Sequence, residues 1–160
     1  MRVPVVLSTI ALALLSSGVL LAQSDPFIGT WKLNTVKSTY VNAPPPPRSE
    51  TRTVEAVGKG AKISLNGVNL DGSRIAYSYT TNYDGRETPV IGEGVFFNVD
   101  TIAIKRVDAY TFTATTIRAG KVMRRVRGVV SKDGKITTLT ARGTDGKGRP
   151  ATAVTIWEKQ

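Results

Sequence analysis

Short segments that alternate apolar and polar residues follow one another along most of this chain. The clearest spans residues 74–82, where Ile75, Tyr77, Tyr79 and Thr81 share one face. Alternation with a period of two is typical of a β-strand with one buried face. No long segment has the periodicity of an amphipathic helix, so the sequence predicts an all-β fold.

The same alternation extends to both sides of this segment. Residues 35–48 predict a connection, because they end in four prolines that cannot donate to a sheet. Residues 83–94 are less regular and predict one short strand at most. The remaining predicted strands are 29–34, 50–56, 62–70, 95–98, 101–107, 110–118, 121–130, 136–142 and 151–158.

Asx-Gly pairs at positions 66–67, 71–72, 84–85, 133–134 and 145–146 punctuate these strands. Such pairs accept the positive φ that a tight hairpin turn demands. Asn66-Gly67 comes too soon before Asp71-Gly72 for both to be hairpins, so we expect a bulge or kink at the first pair.

Strands joined mainly by hairpins favour a single antiparallel up-and-down β-barrel of roughly 8–10 strands, which leaves no sheet edge. A two-sheet sandwich is the alternative, but it usually needs longer crossovers than those seen here.

Residues 1–24 have the features of a secretory signal peptide. Arg2 precedes an almost wholly apolar run, and Ala22 and Ser24 are small residues where a signal peptidase reads them. The alternative is an uncleaved anchor, because the run approaches the ~20 residues that span a bilayer. The serines within the run and the cleavage signature count against an anchor. We predict cleavage near Ala22 or Ser24, an exported protein that is periplasmic or secreted, and one barrel domain at residues 25–160.

The chain contains neither cysteine nor histidine. This excludes disulfides, thiol nucleophiles, a Ser-His-Asp triad and the usual haem and transition-metal ligands. Glu50 and Glu55 fall on opposite faces of one strand, so they cannot act as a carboxylate pair. Six other acidic residues are explained by turns or strand ends, namely Asp71, Asp84, Asp108, Asp133, Asp145 and Glu158. The sequence therefore predicts no enzymatic activity, no cofactor, no metal and no haem.

The net charge of +10 resides in the C-terminal part of the chain and in Arg2. Residues 25–100 hold eight basic and eight acidic side chains, whereas residues 101–160 hold thirteen basic and four acidic ones. Such asymmetry favours an anionic partner, and a merely solvated surface is the alternative. Export argues against nucleic acid as that partner. Candidate contacts with an anionic surface are Lys121, Arg125 and Arg127.

Gly29-Thr30-Trp31, close behind the leader, resembles the G-x-W motif that opens the first strand of lipocalins. The resemblance implies a barrel in which Trp31 closes one end and the connection at 35–48 forms a lid over the other. Segment 25–34 also resembles the start of small exported bacterial proteins of largely uncharacterised function.

In lipocalins a C-terminal arginine packs across the tryptophan. Here only Lys159 follows the last predicted strand, and Arg142 or a member of the 124–127 cluster could take the place of that arginine.

Tyr77, Tyr79, Tyr110 and Phe112 form an aromatic set on nearby strands. They could line one wall of a ligand cavity and offer tyrosine hydroxyls to a ligand. Plain core packing is the alternative for all four.

Two arginines lie on otherwise apolar strand faces. Arg106 shares a face with Ile102 and Ile104, and Arg124 shares one with Val122 and Val126. If these faces point inward, each guanidinium needs a partner and could hold an anion. If they point outward or lie near the rim, both arginines are surface charges.

The leading hypothesis is a monomeric, exported, lipocalin-like barrel that binds a small apolar or amphipathic ligand. An anionic ligand is compatible with this hypothesis if Arg106 and Arg124 point inward. The alternative is an envelope-associated interaction protein with a filled barrel, whose basic C-terminal half contacts anionic lipid, polysaccharide or protein.

Overall fold

The computed structural model describes residues 25–94 and 99–160, and all regular structure in them is β-strand. The leader and the predicted strand at 95–98 lie outside the described residues. Within the described ranges, no helix has the length and hydropathy needed to cross a membrane. The strands are β1 (Gly29–Val41), β2 (Ser49–Val57), β3 (Gly60–Val68), β4 (Arg74–Thr81), β5 (Asp84–Pro89), β6 (Ile91–Glu93), β7 (Thr101–Asp108), β8 (Thr111–Arg118), β9 (Lys121–Val130), β10 (Ile136–Thr144) and β11 (Pro150–Lys159).

These strands form one antiparallel sheet in the order β5-β7-β8-β9-β10-β11-β1-β2-β3-β4-β6. The two edge strands, β5 and β6, are separated in the chain by Val90 alone, so the two ends of the sheet meet. β5 pairs with β7 and β6 pairs with β4, and together they fill one strand position between those neighbours. Eleven strands with two in one position give a nearly closed barrel of ten positions. The predicted all-β barrel is confirmed.

The seam between β4 and β7 is bridged by a side chain. Thr88 Oγ1 lies 2.6 Å from the carbonyl oxygen of Thr80 in β4 and 3.3 Å from that of Ile102 in β7. The hydroxyl of Thr88 therefore links β4 and β7, whose edges pair with β6 and β5 and not with each other. Residues 83–94 therefore hold two short strands rather than one, and each pairs with a different neighbour.

The first strand is longer than the sequence predicted. β1 continues to Val41 because its pairing with β11 resumes at Thr39 after an irregularity that follows Asn34. Side chains replace the missing ladder bonds there: Asn34 Oδ1 accepts the amide of Lys37, and Ser38 Oγ accepts the amide of Ile156. The expected connection at 35–48 is thus wrong in extent, and only residues 42–48 join β1 to β2.

The Asx-Gly pairs play different roles. Gly72 and Gly134 adopt positive φ in the β3–β4 and β9–β10 turns, whereas in the β10–β11 turn Gly148 does so instead of Gly146. The bulge expected at Asn66-Gly67 is wrong, because β3 stays in register with both neighbours there. Gly67 instead allows close strand contact, since a Cβ at this position would lie 2.1 Å from the carbonyl oxygen of Ser49.

The two ends of the barrel differ. At the end where β1 starts and β11 finishes, here called the closed end, large side chains of the main apolar cluster pack together. The other end, here called the open end, carries the 42–48 loop and the turns at 69–73, 119–120 and 145–149.

Trp31 is the most deeply buried large side chain at the closed end, with 2% of its surface exposed. Its Nε1 donates a hydrogen bond to the carbonyl oxygen of Phe27 at 2.9 Å. Lys159 lies opposite Trp31 in the β1–β11 ladder, and its Nζ lies 5.0 Å from the centre of a Trp31 ring. The cation over the tryptophan is therefore Lys159, a residue of the last strand itself.

The N-terminal segment 25–28 seals this end. The rings of Phe27 and Phe112 meet edge to face with their centres 5.2 Å apart. Gly128 lies opposite Phe112 and makes room for its ring, because a Cβ there would come within 2.3 Å of ring atoms. Arg106 forms an ion pair with Asp25, and its guanidinium lies over the rings of Phe27 and Tyr83, 4.8 and 4.0 Å from their centres.

Candidate ligand-binding cavity

A cavity of about 180 Å³ lies inside the barrel between the packed cluster and the open end. Its wall extends from buried Leu65 and Trp157 to exposed Gly94, so it reaches the surface at the open end. Most of the lining is apolar, which is typical of a site for small molecules. Apolar lining residues include Leu33, Leu65, Ile75, Ile102, Ile104, Val126 and Leu139.

The inner part of the cavity contains a stacked cation. Arg52 projects from β2, and its guanidinium carbon lies 4.2 Å from the centre of a Trp157 ring. Among the described residues, its Nε has no hydrogen-bond partner. The ring stabilises the positive charge, while the Nε donor is left for a further polar group.

Glu50 lies two residues before Arg52 on the same strand and also lines the cavity. Burial raises the pKa of this carboxyl, and the neighbouring Arg52 counteracts part of that effect. Burial also raises the pKa of Tyr77 well above its usual value, and Glu50 adds to the effect. The pKa of Tyr79 rises for the same first reason. Both phenols are therefore neutral donors at physiological pH.

The raised pKa of Glu50 gives stability a pH dependence. A carboxyl whose pKa is higher in the folded state contributes stability below its unfolded pKa of about 4.3, and this is lost as pH rises through the folded value. We expect Glu50→Gln to melt at a higher temperature than the parent at pH 7, with a smaller difference at pH 4.

Glu55→Gln is the matched control, because Glu55 is exposed on the other face of β2. Melting curves of both variants and the parent at several pH values make the comparison. A difference between Glu50→Gln and the parent that does not change with pH would contradict the assignment.

Arg124 is the inward-facing arginine nearest the open end. Only 4% of its surface is exposed, and it lines the cavity. Of the two positions that the sequence left open for Arg124, inward-facing or outward-facing, the structure therefore has the inward one. Burial lowers its pKa to about 10, so it remains a cation at neutral pH. Gly143 lies opposite it on β10, where a Cβ would come within 3.0 Å of Arg124 Cγ. The opposite neighbour on β8 is Thr116, which also lines the cavity.

The other candidate residues occupy three different places. Tyr77, Tyr79 and Phe112 line the cavity with Arg124. Arg106 does not, because it is engaged with Asp25 at the closed end, and Tyr110 packs against the main cluster beside Lys132. Lys121, Arg125 and Arg127 are exposed on β9.

Sequence reasoning missed Glu50, Arg52 and Tyr40 as cavity residues. The signal for the first two was present, because they alternate on β2 with buried Val54. Tyr40 was hidden by the interpretation of residues 35–48 as a connection. Burial raises the pKa of its hydroxyl, which places this phenol with the cavity's neutral donors.

Among the described residues, no group of three or more acidic side chains is placed to hold a metal ion.

No family model and no curated protein matches this chain. Among solved structures, it is similar to zebrafish ileal bile acid-binding protein, crystallised with cholic acid. That chain is 10% identical, and the match covers 84% of this chain and 99% of the zebrafish chain with a TM-score of 0.49. The chemistry of the cavity is therefore judged from this chain's own residues.

Proposed function

We propose that this protein binds a small apolar or amphipathic ligand inside its barrel and releases it chemically unchanged. The observation that carries the proposal is the cavity of about 180 Å³ with an apolar wall and a few placed polar groups. An engineered apolar cavity of about 150 Å³ is enough to hold benzene. The available volume therefore suits a small ring system or a short alkyl chain.

The charges in the wall define the polar part of the ligand. The cavity is lined by Glu50, Arg52 and Arg124, whose charges sum to +1 when all are ionised. Glu50 and Arg52 carry opposite charges two residues apart on β2, so the sign of the sum is set by Arg124. A neutral or singly anionic amphiphile matches this balance.

The cellular setting belongs to the same proposal. The apolar leader at 1–24 and the small residues Ala22 and Ser24 support cleavage and export to the periplasm or beyond. In that setting the protein would act as a monomeric carrier, without a cofactor or haem, and a lipocalin-like ligand-binding role is the function we assign.

Analysis of the purified mature protein tests this function. After organic extraction, mass spectrometry should detect a small amphipathic molecule in stoichiometric amount, or the extracted protein should bind one added from outside. A crystal structure with a collapsed interior, together with no binding of any amphiphile, would refute the proposal.

A second candidate function rests on the outer surface of the barrel. Arg125 and Arg142 lie directly opposite each other on β9 and β10, and like charges in that arrangement are destabilising. Arg127 and Lys105 lie on nearby strands, each opposite Thr113 of β8. An anionic partner would relieve this repulsion, which favours contact with an anionic membrane surface. Arg124 is buried and takes no part in this surface.

Sedimentation with vesicles containing anionic lipid tests the second candidate. Binding should weaken with salt and with the double variant Arg125→Gln/Arg127→Gln. The double variant Lys59→Gln/Lys62→Gln is the control, because both lysines are exposed and lie around the β2–β3 turn. Equal effects of the two double variants would show attraction by net charge alone.

A further inference from the structure

The cavity wall has a polar side, formed by β2 and the nearby β4. Glu50 and Arg52 line the cavity from β2, and Tyr77 lines it from β4. In a barrel of ten strand positions β8 lies across from β2. The lining residues on β8 and its two neighbours are mainly apolar, namely Ile102, Ile104, Phe112, Ala114 and Val126. This division suits a ligand that has one polar group and an apolar body.

Glu50 and Arg52 lie close together without forming an ion pair. They are two residues apart on one face of β2, so their Cα atoms lie roughly 7 Å apart. The five ion pairs found among the described residues include neither of them. The guanidinium of Arg52 lies instead against the ring of Trp157, with its carbon 4.2 Å from the ring centre. The carboxyl and the guanidinium can therefore both bind a group that comes between them.

The hydrogen-bonding capacities of these two side chains are complementary. Arg52 is half-buried and lines the cavity, and its Nε has no hydrogen-bond partner among the described residues. A buried donor without a partner is costly, so a group that accepts from this guanidinium stabilises the complex. The pKa of Glu50 is raised by burial and lowered in part by the charge of Arg52, without a contribution from a hydrogen bond within the described residues. Its carboxyl oxygens therefore keep their capacity to accept.

Tyr77 adds a neutral donor on the same side of the cavity. It lies in one row with Arg52 across the sheet, with Leu65 between them, so the two Cα atoms lie roughly 10 Å apart. Gly67 lies opposite Glu50 and contributes no side chain, which leaves the space beside the carboxyl open on β3. Burial raises the pKa of the Tyr77 phenol most, and the charge of Glu50 raises it further. The polar side of the wall thus offers one acceptor and two donors.

We propose that Glu50 and Arg52 form a subsite for the hydroxyl group of an uncharged amphiphile, an alkyl or aryl alcohol. A hydroxyl has one donor hydrogen and two acceptor lone pairs. It donates to the carboxyl of Glu50 and accepts from Arg52 and from Tyr77. This inference rests on the proposed function and adds the chemical class of the ligand's polar group.

Charged head groups fit this subsite less well. A carboxylate or phosphate would be attracted by Arg52 but would lie beside the carboxyl of Glu50. An ammonium group would be attracted by Glu50 but would lie beside the guanidinium. Like charges brought together in a partly desolvated site are unfavourable, so the pair selects against both signs of charge.

Titrations with 1-decanol, 1-methoxynonane and decanoate test the subsite. The alcohol and the ether have the same number of non-hydrogen atoms, but only the alcohol donates a hydrogen bond. Trp157 lines the cavity and stacks on Arg52, so tryptophan fluorescence reports on ligand entry. Decanol should bind the mature protein about tenfold more tightly than the ether, which is the usual effect of one hydrogen bond. Decanoate should bind more weakly than decanol.

Substitutions at the two charged residues should have different effects. Glu50→Met removes the acceptor, so it should abolish the advantage of decanol and leave the affinity for the ether unchanged. Glu50→Gln should retain part of that advantage, because its amide oxygen still accepts, and should strengthen binding of decanoate. Arg52→Met should weaken binding of the alcohol and the ether alike, because both accept from the guanidinium.

Glu55→Met is the matched control, because it makes the same substitution at an exposed position on the other face of β2. Equal affinities of the parent for decanol and the ether would overturn the subsite. An undiminished advantage of decanol in Glu50→Met, or equal losses in Glu50→Met and Glu55→Met, would also overturn it. These outcomes leave the proposed function intact, whereas failure of both decanol and the ether to bind the parent would refute the proposed function.

Discussion

Replacing Trp31 by alanine is expected to lower the free energy of unfolding by about 3–5 kcal/mol, the usual range for deleting a large buried aromatic side chain. The indole has 2% of its surface exposed, and its Nε1 donates to the carbonyl oxygen of Phe27. The substitution removes apolar contacts and leaves that carbonyl without its donor at the closed end. Chemical denaturation monitored by circular dichroism measures the loss.

Lys32→Ala is the control for this prediction, because Lys32 is the exposed neighbour on the same strand and should change stability by less than about 0.5 kcal/mol. If Trp31→Ala does not fold, Trp31→Phe should fold with a smaller loss. Equal stability of Trp31→Ala and Lys32→Ala would contradict the packing described for this end.

Replacing Ala141 by phenylalanine is expected to weaken binding of an apolar ligand by about a hundredfold, or ~2.7 kcal/mol. Ala141 lines the cavity from β10, beside Val126 and Ala153 on the neighbouring strands. A phenyl ring has nearly the size of benzene, and one benzene molecule is accommodated by an engineered apolar cavity of about 150 Å³. The introduced ring would therefore compete with a ligand for the cavity of about 180 Å³. Fluorescence titration with decanol measures the loss of affinity.

Thr140→Phe places the same ring on the opposite face of β10 and is the matched control. Both variants should keep the circular dichroism spectrum of the parent. Unchanged decanol affinity in Ala141→Phe would show that the ligand binds elsewhere.

The architecture was predictable because barrel strands leave a periodic trace in sequence. Residues 74–82 alternate cleanly, and the structure places Ile75, Tyr77 and Tyr79 on the inner face of β4. The hairpin at Asp71-Gly72 was predictable for a similar reason, because a positive φ at glycine is a local property. Both signals depend on short-range geometry.

The errors arose where long-range contacts decided the outcome. The extension of β1 depends on Ser38 binding the backbone of Ile156 across the ladder, a contact far apart in sequence. Gly67 stays in a regular ladder because it lies close to Ser49 on the next strand. Neither the contact of Ser38 with Ile156 nor that of Gly67 with Ser49 can be inferred from the residues adjacent to them in the sequence.

The cavity residues were only partly predictable for a related reason. Alternation shows which residues share a face, but the level of each residue along the barrel axis depends on strand register. Arg106 and Arg124 both lie on apolar faces, yet register places the first at the closed end with Asp25 and the second near the open end. The inner position of Arg52 depends in the same way on its contact with Trp157.

Isothermal titration calorimetry with decanol, at several temperatures and on the mature protein, is the most direct test of the central claim that the barrel interior binds an apolar ligand. We expect saturable binding of one molecule per chain with a negative heat-capacity change, the signature of burying apolar surface. Absence of saturable binding, or the same binding in Ala141→Phe, would contradict the claim.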